Sequence, residues 1–81
     1  MEEVSLYVTP KSGDTDKIKD FLASRDIEFR EYDILADVKA HKRMLEATRG
    51  ACGAPVIEFE RKIVCGFDPE KLEDTIAYEL H

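Results

Sequence analysis

The run Thr9-Pro10-Lys11-Ser12-Gly13-Asp14-Thr15 joins two segments of different hydrophobic period, and no other stretch narrows the available folds as much. Before it, Val4, Leu6 and Val8 alternate with Ser5 and Tyr7, the period-two pattern of a short strand with one face buried more deeply. After it, Ile18, Phe21 and Leu22 recur at helical spacing, while Lys17, Lys19 and Asp20 are left to face water. Pro10 ends the extended run and Gly13 lets the backbone turn sharply. Asp14, Thr15 and Asp16 then bring capping and acidic groups to a helix beginning near Asp14. Such a strand-to-helix turn aims free N–H groups and the positive end of the helix dipole at its own side chains, where a thiolate, phosphate or carboxylate is stabilised. This turn carries no thiol.

The remaining elements follow from the same patterns. The first helix ends near Ser24-Arg25-Asp26, and Ile27 to Ile34 reads as a second strand with Phe29 and Tyr32 as its large side chains. A helix between the two strands makes a right-handed parallel crossover the expected connection. Asp37 opens a second helix on which Val38, His41, Met44, Leu45 and Thr48 share one side, with Gly50 as its C-terminal cap. Val56 to Phe59 and Lys62 to Val64 are separated by Glu60-Arg61, a spacing that suits a hairpin although neither turn residue is Gly or Asn. Asp68-Pro69 starts a last helix, Asp as N-cap and Pro at the first helical position, with Leu72, Ile76 and Leu80 as its buried face. The order β-α-β-α-β-β-α predicts one small α/β domain over residues 1–81, a four-stranded mixed sheet flanked by three helices.

Charge and length exclude several functions. A chain of 81 residues hides only about 60% of its surface on folding, so the core is thin. The net charge of -6 argues against nucleic acid as a partner, because displacing counterions needs a positive face. No apolar run approaches the roughly 20 residues of a membrane span, so a soluble chain is expected. Met1-Glu2-Glu3 is acidic and runs into a strand, without the basic and apolar regions of a signal peptide, and the expected location is the cytoplasm. Cys52 and Cys65 are too few for a secreted disulfide framework, and neither has a partner at zinc-ligand spacing. His41, on a helix, and the terminal His81 do not complete a site, so no metal is expected.

The order of elements is joined by three local motifs. Tyr7-Val8-Thr9-Pro10 precedes the first helix, Gly53-Ala54-Pro55 the third strand, and Gly66-Phe67-Asp68 the last helix. With these separations the chain resembles the glutaredoxins, including their ribonucleotide-reductase-serving branch, over nearly its whole length. The resemblance implies a thioredoxin-like fold and thiol-disulfide redox chemistry, with glutathione or a protein disulfide as partner, glutathione as cosubstrate, no bound cofactor, and a monomeric state. In that family a Cys-x-x-Cys or Cys-x-x-Ser motif fills the turn, and its first cysteine is the nucleophile. By position Ser12 stands at the first cysteine and Thr15 at the second. A serine hydroxyl stays protonated and forms no mixed disulfide, so the chain as written is expected to be inactive in exchange at this position.

Two explanations fit. In one, the chain is a degenerate relative that binds glutathione or a partner without exchanging electrons. In the other, serine stands in for the reactive residue. The run Pro10-Lys11-Ser12-Gly13-Asp14-Thr15 resembles a selenocysteine-containing glutaredoxin-like branch, in which Thr follows three residues after the selenocysteine. The resemblance further implies that Pro55 is cis, that the backbone of Ala54 pairs with an extended substrate, that Gly66 leaves room for glutathione, and that Asp68 meets its amine and Lys11 a carboxylate. The bland alternatives are a turn proline, a loop glycine, a helix cap and a solvated lysine. Cys52 and Cys65 both fall toward the site end, either as small buried residues or as a redox pair, the latter requiring Cα atoms within about 7 Å. Cys65-Gly66-Phe67 mimics the start of an iron–sulfur-binding motif but follows the wrong strand. Lys11-Ser12-Gly13 lacks the full phosphate-binding loop, and Asp14 and Asp16 oppose both phosphate and a thiolate at position 12.

Overall fold

The computed structural model describes residues 4–60 and 62–79. Met1-Glu2-Glu3, Arg61 of the expected hairpin turn, Leu80 and His81 lie outside the described residues. The elements are β1 (Val4–Val8), α1 (Thr15–Ser24), β2 (Phe29–Asp33), α2 (Val38–Thr48), β3 (Val56–Glu58), β4 (Ile63–Cys65) and α3 (Pro69–Glu79). The strands form one mixed sheet in the order β2-β1-β3-β4. β1 runs parallel to β2, with Val4 opposite Phe29 and Val8 opposite Asp33. It runs antiparallel to β3, with Tyr7 opposite Val56, and β3 and β4 form the predicted hairpin with Val56 opposite Cys65. The four-stranded mixed sheet expected from the pattern, and the thioredoxin-like arrangement that the resemblance implies, are therefore present.

Helices on both sheet faces explain why β1 is buried throughout instead of on one face. Val4, Leu6 and Val8 join Ile18 and Leu22 of α1, Leu72 of α3, and Ile57, Phe59 and Val64 of the hairpin in one core cluster. Tyr7 and Val56 point the other way and meet Ile34 with Ala40 and Met44 of α2. At about 1.5–3 kcal/mol for each large apolar side chain fully buried, the larger cluster supplies most of the stability.

Four details depart from the sequence pattern. The buried stripe of α2 is Ala40, Met44 and Thr48, an i, i+4, i+8 row, whereas Val38 and Leu45 of the expected face are 79% and 43% exposed. The small Ala40 lets the helix approach the sheet, and Thr48 is acceptable there because its hydroxyl donates to the Met44 carbonyl at 2.9 Å. The second strand is shorter than Ile27 to Ile34, because Asp26 is left-handed and Ile27 still donates to the Leu22 carbonyl. Asp14 holds the N-cap position of α1 without a side-chain cap bond; the Thr15 hydroxyl donates back to the Ser12 carbonyl instead. At the end of α2 the left-handed turn is shared, Arg49 and Gly50 both having positive φ, and the Gly50 N–H donates to the Leu45 carbonyl. The start of α3 is as expected, Asp68 Oδ1 accepting from the Lys71 N–H at 3.2 Å.

α1 and α3 are also tied across the surface. Arg25 donates to Glu73, which holds that carboxyl below its usual range, and the guanidinium lies 4.1 Å from the centre of the Phe21 ring. Phe21 meets Phe67 edge-on at 6.1 Å.

Leu22→Ala is expected to lower unfolding free energy by about 2–5 kcal/mol in urea titrations, since the side chain is fully buried between helix and sheet. Leu35→Ala, at a side chain 70% exposed, should change it by no more than about 0.5 kcal/mol.

Candidate functional site

The register brings three turns to one end of the sheet. β1 and β2 both end there, β3 begins there, and β4 ends there, since Val8 pairs with Asp33, Tyr7 with Val56 and Val56 with Cys65. The β1–α1 turn with Ser12, the Cys52 to Pro55 loop and the Cys65-Gly66 exit of β4 therefore share this end. The Ala54–Pro55 peptide is cis, as the resemblance implies. Gly66 takes φ +74°, a left-handed conformation that a side chain disfavours. Its N–H donates to the Pro55 carbonyl at 2.8 Å, locking the two loops together.

Ser12 is held inside its own turn. Its N–H donates to the Thr9 carbonyl at 3.0 Å, its Oγ accepts from the Thr9 N–H at 3.0 Å, and the two hydroxyls lie 3.0 Å apart. Thr15 donates through its hydroxyl to the Ser12 carbonyl at 3.1 Å, so the second position of the motif fixes the backbone of the first. Among the described residues no base is hydrogen-bonded to Ser12 Oγ. A serine with no such base is not an activated nucleophile. Thr9, part of the Tyr7-Val8-Thr9-Pro10 motif, had no expected site role, although its spacing to Ser12 is that of a hydroxyl-stabilised turn.

Beside Ser12 opens a groove of about 420 Å³ whose other wall includes Asp16, Glu31 and Asp33. Lys19 reaches Glu31 at 2.7 Å, and Lys17 stands 3.9 Å from Asp14. The groove lies over β1 and β2. Lys11, Ala54, Pro55, Gly66 and Asp68, the residues expected to meet glutathione, do not line it. Lys11 is exposed, and Asp68 is half-buried with one carboxylate oxygen on the α3 N-terminus. The two carboxylates at the end of β2 carried no signal in the sequence, because their position depends on the parallel register.

Cys52 and Cys65 form a disulfide with their Cα atoms 6.3 Å apart. It joins the cis-proline loop to the end of β4. Below that loop, Cys52 and Ala54 pack on the cluster around Tyr7. The Tyr7 hydroxyl donates to Glu58 Oε1 at 2.6 Å, and its ring stacks on Tyr32 at 5.6 Å. Burial, then the bond to Glu58 and the charge of that carboxylate, push the Tyr7 hydroxyl up to about 12.

These features meet their counterpart in known proteins. The glutaredoxin family model matches residues 4–64, and the chain belongs to the glutaredoxin family. It is 27% identical over 73 residues to an uncharacterized glutaredoxin-like 8.6 kDa protein in the rubredoxin operon of Clostridium pasteurianum, covering 90% of this chain and 96% of that protein. Among solved structures, the thioredoxin-like protein BC3987 superposes with a TM-score of 0.75 at 25% identity, covering 88% of this chain and 96% of that one. A single-site mutant of the same protein gives a TM-score of 0.75 over 88% of this chain.

The Tyr7 shift has a definite sign. With its folded value near 12 and an unfolded value near 10, the folded state keeps its proton over a window in which the unfolded state loses it. Stability from this group is complete below about pH 10 and is lost as pH rises toward 12. Alkaline unfolding titrations should show this decline, and Tyr7→Phe should remove it while lowering stability near neutrality by about 1–3 kcal/mol, since Glu58 loses its donor.

Proposed function

We propose that this chain is a disulfide-recognising redox domain of glutaredoxin type whose reaction position is residue 12, and that with serine there it exchanges no disulfide at that position. The observation that carries the reading is the location of Ser12, at the N-terminus of α1 in the β1–α1 turn, on the sheet end that also holds the cis Ala54–Pro55 peptide. A thiolate or selenolate at residue 12 gains from the helix dipole, and the opposing influence is the carboxylate of Asp16 in the groove beside it. The partner class is glutathione or a protein disulfide, with the backbone of Ala54 pairing with it, Gly66 leaving space, and Asp68 and Lys11 meeting the amine and a carboxylate of glutathione. Glutathione acts as cosubstrate, and the domain works as a monomer in the cytoplasm.

A second reading is a recognition module that binds the same partners without electron transfer. It is favoured by the closed bonding of Ser12 to Thr9, which leaves the hydroxyl satisfied inside the protein. Codon 12 of the gene separates the two: a cysteine codon, or an in-frame TGA with a recoding hairpin, gives the oxidoreductase, and a serine codon the module.

The shared premise is tested by Ser12→Cys. This variant is expected to become glutathionylated at residue 12 by oxidised glutathione and to turn over glutathione mixed disulfides, whereas the parent chain gives no product at that residue. The new thiol's titration midpoint, read from alkylation rate against pH, should fall when Asp16→Asn is added. A folded Ser12→Cys protein inert toward glutathione disulfides would overturn the reading.

A further inference from the structure

Both cysteines of the chain are absent from the turn where the family carries its nucleophile, yet both lie at the same end of the sheet. We propose that Cys52–Cys65 is a second redox centre of this domain, a reversible dithiol/disulfide couple that exchanges electrons with thiol reductants at the face formed by the cis-proline loop and the end of β4. The proposal does not depend on what residue 12 does.

Three observations carry it. The first is how little the bridge has to hold. A structural cross-link stabilises most when it closes a loop that would otherwise be open. The bridge spans a separation of 13 residues, but the β3–β4 hairpin already brings Val56 opposite Cys65, and the Gly66 N–H already binds the Pro55 carbonyl. Only the short arm from Cys52 to Pro55 gains a restraint. Val56, Ile57 and Val64 are held by the apolar residues of the two cores, and Cys52 packs on its cluster as a thiol as well as in the bridge, so opening the bridge leaves the fold standing.

The second observation is access. Cys65 is exposed and sits on β4, at the edge of the sheet, whereas Cys52 is half-buried. The neighbours Gly53 and Gly66 have no side chains, and a Cβ built on either meets nothing within 4 Å. The backbone beside each cysteine is therefore uncrowded, and exposure singles out Cys65 as the reachable arm.

The third is the inequivalence of the two sulfurs. Cys52 packs beside Ala54 on the Tyr7, Ile34 and Met44 cluster, and apolar surroundings disfavour an incoming thiolate there. Attack falls on Cys65 Sγ. A reductant thiolate forms a new S–S bond to Cys65, the Cys52–Cys65 bond breaks, and its electron pair goes to Cys52 Sγ, which takes a proton. A second thiol of the reductant then attacks the reductant's own sulfur in the mixed disulfide and releases the Cys65 thiolate, which is protonated in turn. The pair gains two electrons and two protons, and the reductant leaves as its disulfide. The partner class is a small thiol such as glutathione or a dithiol peptide.

The test uses the intact 81-residue chain. It is equilibrated in glutathione buffers of increasing reduced-to-oxidised ratio, quenched by alkylation and mapped by peptide mass spectrometry, with far-ultraviolet circular dichroism recorded in parallel. The expected result is a change from unlabelled to doubly labelled protein across the series, reversed on returning to oxidising buffer, with the dichroism unchanged. Resistance to reduction until urea unfolds the chain, or loss of dichroism on reduction, would overturn the proposal in favour of a structural staple. With oxidised glutathione, Cys52→Ser should carry the adduct on Cys65 many-fold faster than Cys65→Ser carries it on Cys52. Equal rates or the reverse order would overturn the assigned direction of attack. Failure of Ser12→Cys to react leaves these readouts unaffected, so the two claims fail separately.

Discussion

Everything in this molecule is hung on β1. All five of its residues are 5% exposed or less, it pairs on both edges, and its two faces feed the two cores. That burial fixes the register, because a slip by one residue would exchange Leu6 and Tyr7 between the cores and strand the Tyr7 hydroxyl away from Glu58. Register in turn decides which loops meet. It is the pairing of Val8 with Asp33 and of Tyr7 with Val56 that carries the end of β2, the Ser12 turn and the cis-proline loop to one end of the sheet.

Much of this was legible in the chain because local signals agreed with one another. Asp68-Pro69 is a helix start by capping and by proline geometry alike, and the hairpin formed although Glu60 offers no special turn chemistry, since the flanking strands had cores to enter. α2 agrees only in part: Met44 and Thr48 of the expected face are buried. Val38 and Leu45 are apolar but exposed, and the face that packs is set by Ala40, a residue too small to weigh heavily in a hydrophobic pattern. In a helix that crosses a sheet, the closest approach selects small side chains, and periodicity read from bulk alone points the wrong way.

The site was legible in its backbone and opaque in its side chains. A Gly-Ala-Pro run before a strand and a glycine after the hairpin could be assigned places on the chain, and the cis peptide and the left-handed Gly66 occupy them. The disulfide was left open because a Cα separation of 6.3 Å depends on how the 51–55 loop returns across the sheet, which no local pattern encodes. The acidic wall of Asp16, Glu31 and Asp33 depends likewise on a parallel pairing between segments more than a helix apart. The result is a turn with a serine at its centre and carboxylates along one wall of its groove, on the sheet end that also carries the disulfide between the two cysteines.

The proposed function requires that the cis-proline loop, the end of β4 and the start of α3 form one recognition face for glutathione-like disulfide partners. The direct measurement is a titration of the isotope-labelled protein with oxidised glutathione, which leaves the Cys52–Cys65 bridge closed, followed by backbone amide shifts. Saturable shifts that cluster at Ala54, Gly66 and Asp68 and extend to the Ser12 turn are expected. Shifts confined to the Glu31 and Asp33 wall, or none at millimolar glutathione, would contradict it.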